Sequence, residues 1–344
     1  MTDTPEPAQA TLEPVRKALR GSALPKAVLG IALALILLVG GALLGTRYGV
    51  LLPQGRLLIE ARASGLKIGR FGRLKVEGIS GDVWRDFTVR RLTVADEKGV
   101  WLEARNVGLQ WSYLQLLRRR FHAERISAEQ VRVIRRPTLE PKGESRGLPV
   151  AFDIDAIQAR IVMEPAFSYR RGVYDLAGEL DVKRGEGGQS GRIAARSVLH
   201  PGDHLDVQFE MGKTRPLKLT ATAEEARGGA LAGSLGLPAD RPFALNAHAD
   251  GKMSQGQFSV STVVGDVRPI EAQGAWSPQG GQARGRLLLS ASTLTESYAR
   301  RFGPQVAFEV SGRKASEQLY DLTAALRAEN LTLSAAGRGN LGER

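Results

Sequence analysis

Cysteine is absent from this 344-residue chain, and histidine occurs only four times. The first absence excludes a disulfide framework, a thiolate metal site and a cysteine nucleophile. It leaves the compartment open. No G-x-S-x-G elbow, phosphate-binding P-loop or H-E-x-x-H zinc motif occurs anywhere in the chain. Acidic residues are outnumbered 36 to 48 by Lys and Arg, a formal charge of +12. Such a balance fits nucleic acid, an anionic membrane, or simply a solvated basic surface. The one local run is Arg118, Arg119 and Arg120, followed by Arg125, Arg132, Arg135 and Arg136. Phosphate tracking needs a continuous stripe with aromatic platforms; the run offers none, and no nucleic-acid partner is expected.

One stretch lacks charge altogether. Residues 27–45 read AVLGIALALILLVGGALLG, about 28 Å of helix, which matches a bilayer's hydrocarbon core. A cleaved signal peptide has a shorter apolar region and a small-residue cleavage site. Ala42-Leu43-Leu44 is not such a site, so a retained transmembrane anchor is expected. Arg16, Lys17, Arg20 and Lys26 precede it, while Arg47, Arg56 and Arg62 follow, a weak bias towards a cytoplasmic N-terminus. Pro53 ends any helical continuation of the span.

What fills the rest is glycine, 40 residues of it, and a period of two. Leu74 and Val76 alternate with Lys75 and Glu77; Phe87 and Val89 alternate with Thr88 and Arg90. Leu92 and Val94 continue on the other parity, which predicts a bulge near Arg91. Val100, Leu102 and Ala104 alternate with Trp101 and Glu103, and Val107, Leu109 and Trp111 follow. Later, Phe243, Leu245 and Ala247 form one face, as do Val306, Phe308 and Val310, and Tyr320, Leu322, Ala324 and Leu326. This predicts a meander of half-buried antiparallel strands. Residues 137–149 read as a linker, and 183–192 and 224–242 as polar or glycine-rich gaps. Two short helices are expected. Ser112 opens one with Gln115 as capping partner and Leu114 and Leu117 inward; Thr293 opens the other with Glu296. In the second, Leu294, Tyr298 and Phe302 stack, and Gly303-Pro304 stops the helix. Residues 337–340 read as a turn before a next strand at Leu341. An array ending there leaves an unprotected edge, so the chain is expected to be the front part of a longer protein.

The residues that could carry chemistry are isolated. His200 and His204 flank a Pro201-Gly202 turn and read as a hydrated loop, while His122 and His248 stand alone. Asp153 and Asp155 share a strand face, which reads as solvated for want of a partner. G-x-G-x-x-G at 337–342 has no following helix and strand. Trp84 and Trp111 read as core anchors of the first hairpins, and Trp101 as facing outward. No catalytic, cofactor-binding or metal residue is expected.

The stretch from Gly72 to Pro137 carries Gly78-Ile79-Ser80-Gly81 with Trp84 and Phe87, a turn at Asp96 to Gly99, the strand to Trp111, and Leu114, Leu116 and Leu117 before the arginines. With the anchor, it resembles the start of TamB proteins, the inner-membrane subunits of the translocation and assembly module in the AsmA-like group. The match covers about 70 residues plus the anchor, and TamB proteins are several times longer. The resemblance implies a mainly β fold: an N-terminal transmembrane helix, then an elongated, curled antiparallel β-sheet forming an open groove, with a few short helices. The expected layout is a cytoplasmic tail at 1–26, the anchor at 27–47, a first β-rich periplasmic segment at 48–136, the linker, and a further β-rich segment at 150–344. The implied role is non-enzymatic: an inner-membrane-anchored periplasmic bridge assisting outer-membrane protein assembly and phospholipid transport. Its partners would be the bilayer, phospholipid acyl chains, and an outer-membrane assembly partner reached through a missing C-terminal part. Candidate groove-lining residues are Val76, Val89, Leu102 and Leu109. A scaffold without lipid carriage and a membrane-anchored periplasmic hydrolase are the alternatives, and a closed β-sandwich would show the same alternation.

Overall fold

The structure is a computed structural model that describes residues 53–68, 70–140, 151–183, 188–213, 215–316 and 319–340. The apolar run at 27–45, the tail before it and residues 141–149 of the expected linker lie outside these. Among the described residues no helix is long and apolar enough to cross a membrane.

Sixteen strands form one sheet in chain order. They are β1 (Arg73–Asp82), β2 (Asp86–Asp96), β3 (Gly99–Trp111), β4 (Arg120–Val133), β5 (Ala151–Met163), β6 (Gly172–Val182), β7 (Gln189–Ser197) and β8 (His204–Met211), then β9 (Leu217–Glu225), β10 (Phe243–Lys252), β11 (Gln255–Val264), β12 (Ile270–Ser277), β13 (Gly280–Leu288), β14 (Gln305–Lys314), β15 (Leu319–Ala328) and β16 (Leu331–Asn340). The fold is mainly β, as expected, and the sheet is open: β1 and β16 are its two edges. One pairing departs from the expected antiparallel order. β4 and β5 run parallel, an arrangement that a tight hairpin cannot make and that the long sequence separation between Val133 and Ala151 allows. The β-rich segments on either side of the linker therefore share one sheet.

Short helices sit between strands: α1 (Pro53–Ala63), α2 (Pro165–Ser168), α3 (Ala230–Ser234) and α4 (Glu296–Phe302), with 3-10 turns at Tyr113–Arg118 and Leu289–Ala291. α1 begins at Pro53, whose missing N–H is harmless in a first helical turn. It guards the outer edge of β1. Glu60 Oε1 accepts from Ile79 N at 2.7 Å and Ser64 Oγ from Val76 N at 3.1 Å. Gly65 N donates to Leu74 O at 2.7 Å and Leu74 N to Leu66 O at 2.9 Å. Edge N–H and C=O groups that would invite another strand are thereby occupied.

The expected parity change is present, and its cause is visible. Gly78 (φ 73°) and Asn106 (φ 48°) adopt positive φ inside β1 and β3, and Arg90 pairs with neither of them. Alternation reverses along this line, so Val76 and Ile79, three apart, enter one cluster with Val89. The register slip itself falls between Val94 and Ala95.

Three local expectations are corrected. Tyr113–Arg118 is a 3-10 turn in which Ser112 makes no side-chain cap bond, and Leu114 and Leu117 are 58% and 85% exposed rather than inward. α4 starts at Glu296, after Leu294, although Tyr298 and Phe302 do stack and Gly303 (φ 104°) does stop it. Residues 337–340 are no turn: β16 runs through them, with Gly337 opposite Leu322 and Gly339 opposite Tyr320.

Candidate functional site

The strand register assigns every residue from β6 to β16 to one of two faces. One row across the sheet reads Gly178, Ile193, Val207, Ala221, Ala247, Val260, Ala272, Gly285, Phe308, Leu326 and Leu333. The neighbouring row reads Glu179, Arg192, Gln208, Thr220, His248, Ser259, Gln273, Arg284, Glu309, Ala325 and Ser334. Side chains in adjacent rows point to opposite sides, so one face is apolar and the other polar across eleven strands. Val162 and Val173, paired on the polar side, are a local exception.

On the apolar face large and small residues alternate across strands. The space a Cβ would fill at Gly191 is taken by the Phe209 ring, at Gly274 by Phe258, at Gly285 by Phe308 and at Gly256 by Trp276. Rings lying over neighbouring glycines cover bare backbone and keep the register. The resulting surface is low and smooth. Much of it is half-buried, and Val310, Leu322 and Leu333 remain 44%, 39% and 57% exposed. The polar face is laced by cross-strand ion pairs: Arg160 with Asp175 at 2.8 Å, Arg196 with Asp206 at 2.9 Å and Arg286 with Glu271 at 2.8 Å. Arg160 holds the Asp175 carboxyl below its ordinary pKa, and Arg286 does the same for Glu271.

Two places on the apolar face are covered. At one edge, Ile59 and Ala63 of α1 close over Val76, Ile79 and Val89. Further along, residues 230–237 sit on Tyr174, Ala195, Ala223, Phe243 and Val264, with Ala232 fully buried. This second cover is a plug built from loops at one end of the strands. Gly233 lies so close to Ser168 of α2 that a Cβ would meet Ser168 O at 1.7 Å. Arg136 donates to Gly233 O at 2.9 Å and Ser234 O at 2.8 Å, and its guanidinium stands 5.3 Å from the Phe167 ring centre. Thr293 N donates to Gly236 O at 2.9 Å, and the Tyr169 and Thr293 hydroxyls meet at 2.7 Å. Beneath the plug, Glu225 is fully buried. It accepts from Tyr174 Oη at 2.6 Å, Leu231 N at 2.8 Å and Ala232 N at 2.9 Å. Burial, then the bond to Glu225, pushes the Tyr174 hydroxyl well above the ordinary phenol pKa.

The four residues singled out for a groove all fall on the apolar side once the parity reversal is counted. Val76 and Val89 are 7% and 6% exposed, inside the cluster that α1 covers. They are filled core at that edge. Leu102, opposite Val94, and Leu109, opposite Phe87, are half-buried.

His122 is not alone, as its isolation in sequence suggested. Parallel pairing sets it beside Asp153, with Nδ1 at 3.1 Å from Asp153 Oδ2 and Nε2 at 3.9 Å from Asp155 Oδ2. Arg120 also pairs with Asp153, so that carboxylate already has a cation beside it, while the Asp155 side chain is largely exposed. A strand juxtaposition across the 134–150 connection left no local signal to find it by. His204 opens β8 and contacts Gly202 O at 2.9 Å. Trp111 donates to Val83 O at 2.9 Å and stacks on Phe121, anchoring the first hairpins. Trp101, on the side opposite Leu102, donates to Phe71 O at 2.8 Å. Three arginines of the basic run are spent inside the fold: Arg132 on Glu164 at 2.8 Å, Arg135 on Asp96, and Arg136 on the plug. A trench of about 490 Å³ crosses the rows of β11 to β15, with Arg284, Arg286, Glu271 and Arg327 among its lining. Arg286 and Glu271 there are spent on each other.

Comparison with protein-family models, curated proteins and solved structures finds no match.

Proposed function

We propose that the apolar face carries acyl chains, and that the chain is an inner-membrane-anchored periplasmic bridge of the TamB type that moves phospholipid between membranes and assists outer-membrane protein assembly. One observation carries this: an apolar surface continuous over eleven strands, rich in Ala and Gly, with loops over only part of it. A folded core is filled with large side chains to high density. A face left low and unfilled suits a ligand that supplies the missing hydrocarbon. Sixteen strands at ~4.8 Å per step give about 70 Å of contour, several times the half-bilayer length of one acyl chain.

A curled groove is supported by the plug. Tyr169 precedes β6 and Thr293 follows β13, seven steps or about 34 Å apart along a flat sheet, yet their hydroxyls meet over the apolar side. Short connections reach that far most readily when the sheet bends towards the face they cover. The anchor at 27–45, a cytoplasmic N-terminus and a periplasmic body belong to the same proposal; a phosphatase fusion after residue 150 would be active. The reading is tested by native mass spectrometry of the detergent-extracted full chain. Co-purified phospholipid that is lost in a folded Leu102→Asp variant is expected. A folded wild-type chain free of lipid, with no crosslinking to photoactivatable lipid, overturns the conduit and leaves the scaffold reading.

A further inference from the structure

The turn between β3 and β4 presents an apolar surface that the fold does not use. Leu114, Leu116 and Leu117 are 58%, 40% and 85% exposed, and Leu117 is the most exposed of the large hydrophobic residues described. The turn is nevertheless firmly held. Ser112 N donates to His122 O at 3.0 Å, Arg119 N to Leu116 O at 2.8 Å, and Ala151 N to Arg119 O at 2.9 Å. Behind it, Tyr113 meets Trp84 edge-on at 5.2 Å. Arg119 adopts φ 55°, which reverses the chain directly after the leucines. Arg118 and Arg119 are exposed, with no side-chain partner among the described residues, whereas Arg120 is bound to Asp153. Arg85, in the β1–β2 turn, is exposed as well, and its O accepts from Trp111 N at 2.9 Å just before the turn.

We propose that residues 114–120 form a membrane-docking turn, which seats its leucines among the acyl chains just below the headgroups of an anionic leaflet and sets Arg118 and Arg119 against lipid phosphates. Charge complementarity selects this occupant. Apolar side chains flanked by cations are what an interfacial anchor needs, since burial of leucine and attraction to an anionic surface act together. A protein partner would need about 800 Å² of matching surface, and a seven-residue turn whose leucines run straight into arginines does not supply it. The assignment holds whether or not the apolar face carries lipid, and it puts one end of the strands at a bilayer.

The absence of cysteine permits a direct test. The full chain with Leu117→Cys, carrying an environment-sensitive fluorophore, is reconstituted into phosphatidylcholine vesicles with or without phosphatidylglycerol. Spin-labelled lipids serve as quenchers, and Ser259→Cys on the polar face is the control. Circular dichroism identical to wild type qualifies each variant, and a site so exposed should not disturb folding. The expected result is a blue shift and strong quenching at 117 but not at 259. Both should fall severalfold without phosphatidylglycerol, or with Arg118→Gln and Arg119→Gln together. Quenching at 117 no greater than at 259 overturns the docking turn. Strong quenching indifferent to phosphatidylglycerol and to both arginines overturns the anionic leaflet as its partner.

Discussion

Glu225→Ala should be the most damaging single change to the plug. The carboxylate is fully buried and accepts from the Tyr174 hydroxyl and from the backbone of Leu231 and Ala232. Alanine leaves three buried donors without an acceptor, each costing about 1–3 kcal/mol. Partial relaxation and water entry bring the expected total to about 3–5 kcal/mol. Tyr174→Phe removes one donor and leaves the carboxylate two backbone partners, so it should cost only about 1 kcal/mol. Combined, the two changes should cost less than their sum, because Glu225→Ala alone already strands the Tyr174 hydroxyl. Urea titration read by circular dichroism gives the three values, and hydrogen exchange at Leu231 and Ala232 shows whether the plug opens before the sheet. Loss of protection confined to residues 230–237 is expected. A Glu225→Ala cost below about 1 kcal/mol, with those amides still protected, would refute the claim that this carboxylate holds the plug on the sheet.

Gly233→Ala should force α3 off α2, since its Cβ would meet Ser168 O at 1.7 Å; a loss of about 1–3 kcal/mol is expected in the same titration. Val89→Asp, at a site 6% exposed, should abolish folding by placing an unpaired charge in a packed cluster at a cost of about 4 kcal/mol or more. Val310→Asp, 44% exposed on the same face, should fold normally and lose only lipid crosslinking, as circular dichroism and photoactivatable lipid would report. The Asp96 side chain is 3% exposed, and Arg135, then the N–H groups of Thr138 and Lys98, hold its carboxyl well below the ordinary pKa. Because the folded value is depressed, its contribution is complete above the unfolded value near about 4 and is lost as pH falls below it. Asp96→Asn should therefore flatten the acid limb of a melting-temperature profile between about pH 5 and pH 2 and lower stability at neutral pH.

Strand existence was legible because period-two alternation survives wherever one face is apolar, as in Val306, Phe308 and Val310, whose register places them on the apolar side with Leu326 and Leu333. The features that shape the candidate site were written in quieter residues. Ala230, Leu231, Ala232 and Gly233 are buried as a plug, yet a run of Ala and Gly between glycines has too little periodicity to stand out from a loop. The capping-box pattern at Ser112 misled for a related reason: local spacing suited a helix, but the chain must reverse from β3 into β4 within a few residues, and a tight 3-10 turn leaves the leucines outside. Pairings across long connections, such as His122 with Asp153, have no local signature at all.

The distinction between an open face and a closed sandwich belongs to the same class. Both give the same alternation, because the pattern records which side avoids water and not what lies on it. The discriminating signal is residue size. Two facing sheets about 10 Å apart must fill the gap with side chains from both. Here the apolar rows place Ala221 beside Ala247 and Ala272 beside Gly285, and aromatic rings lie down on glycines instead of standing towards a second layer. A row built so low has no partner sheet to meet among the described strands, all sixteen of which stand in the one sheet. At the plug loops cover the face, and over the stretch they leave uncovered the proposal puts an acyl chain in their place.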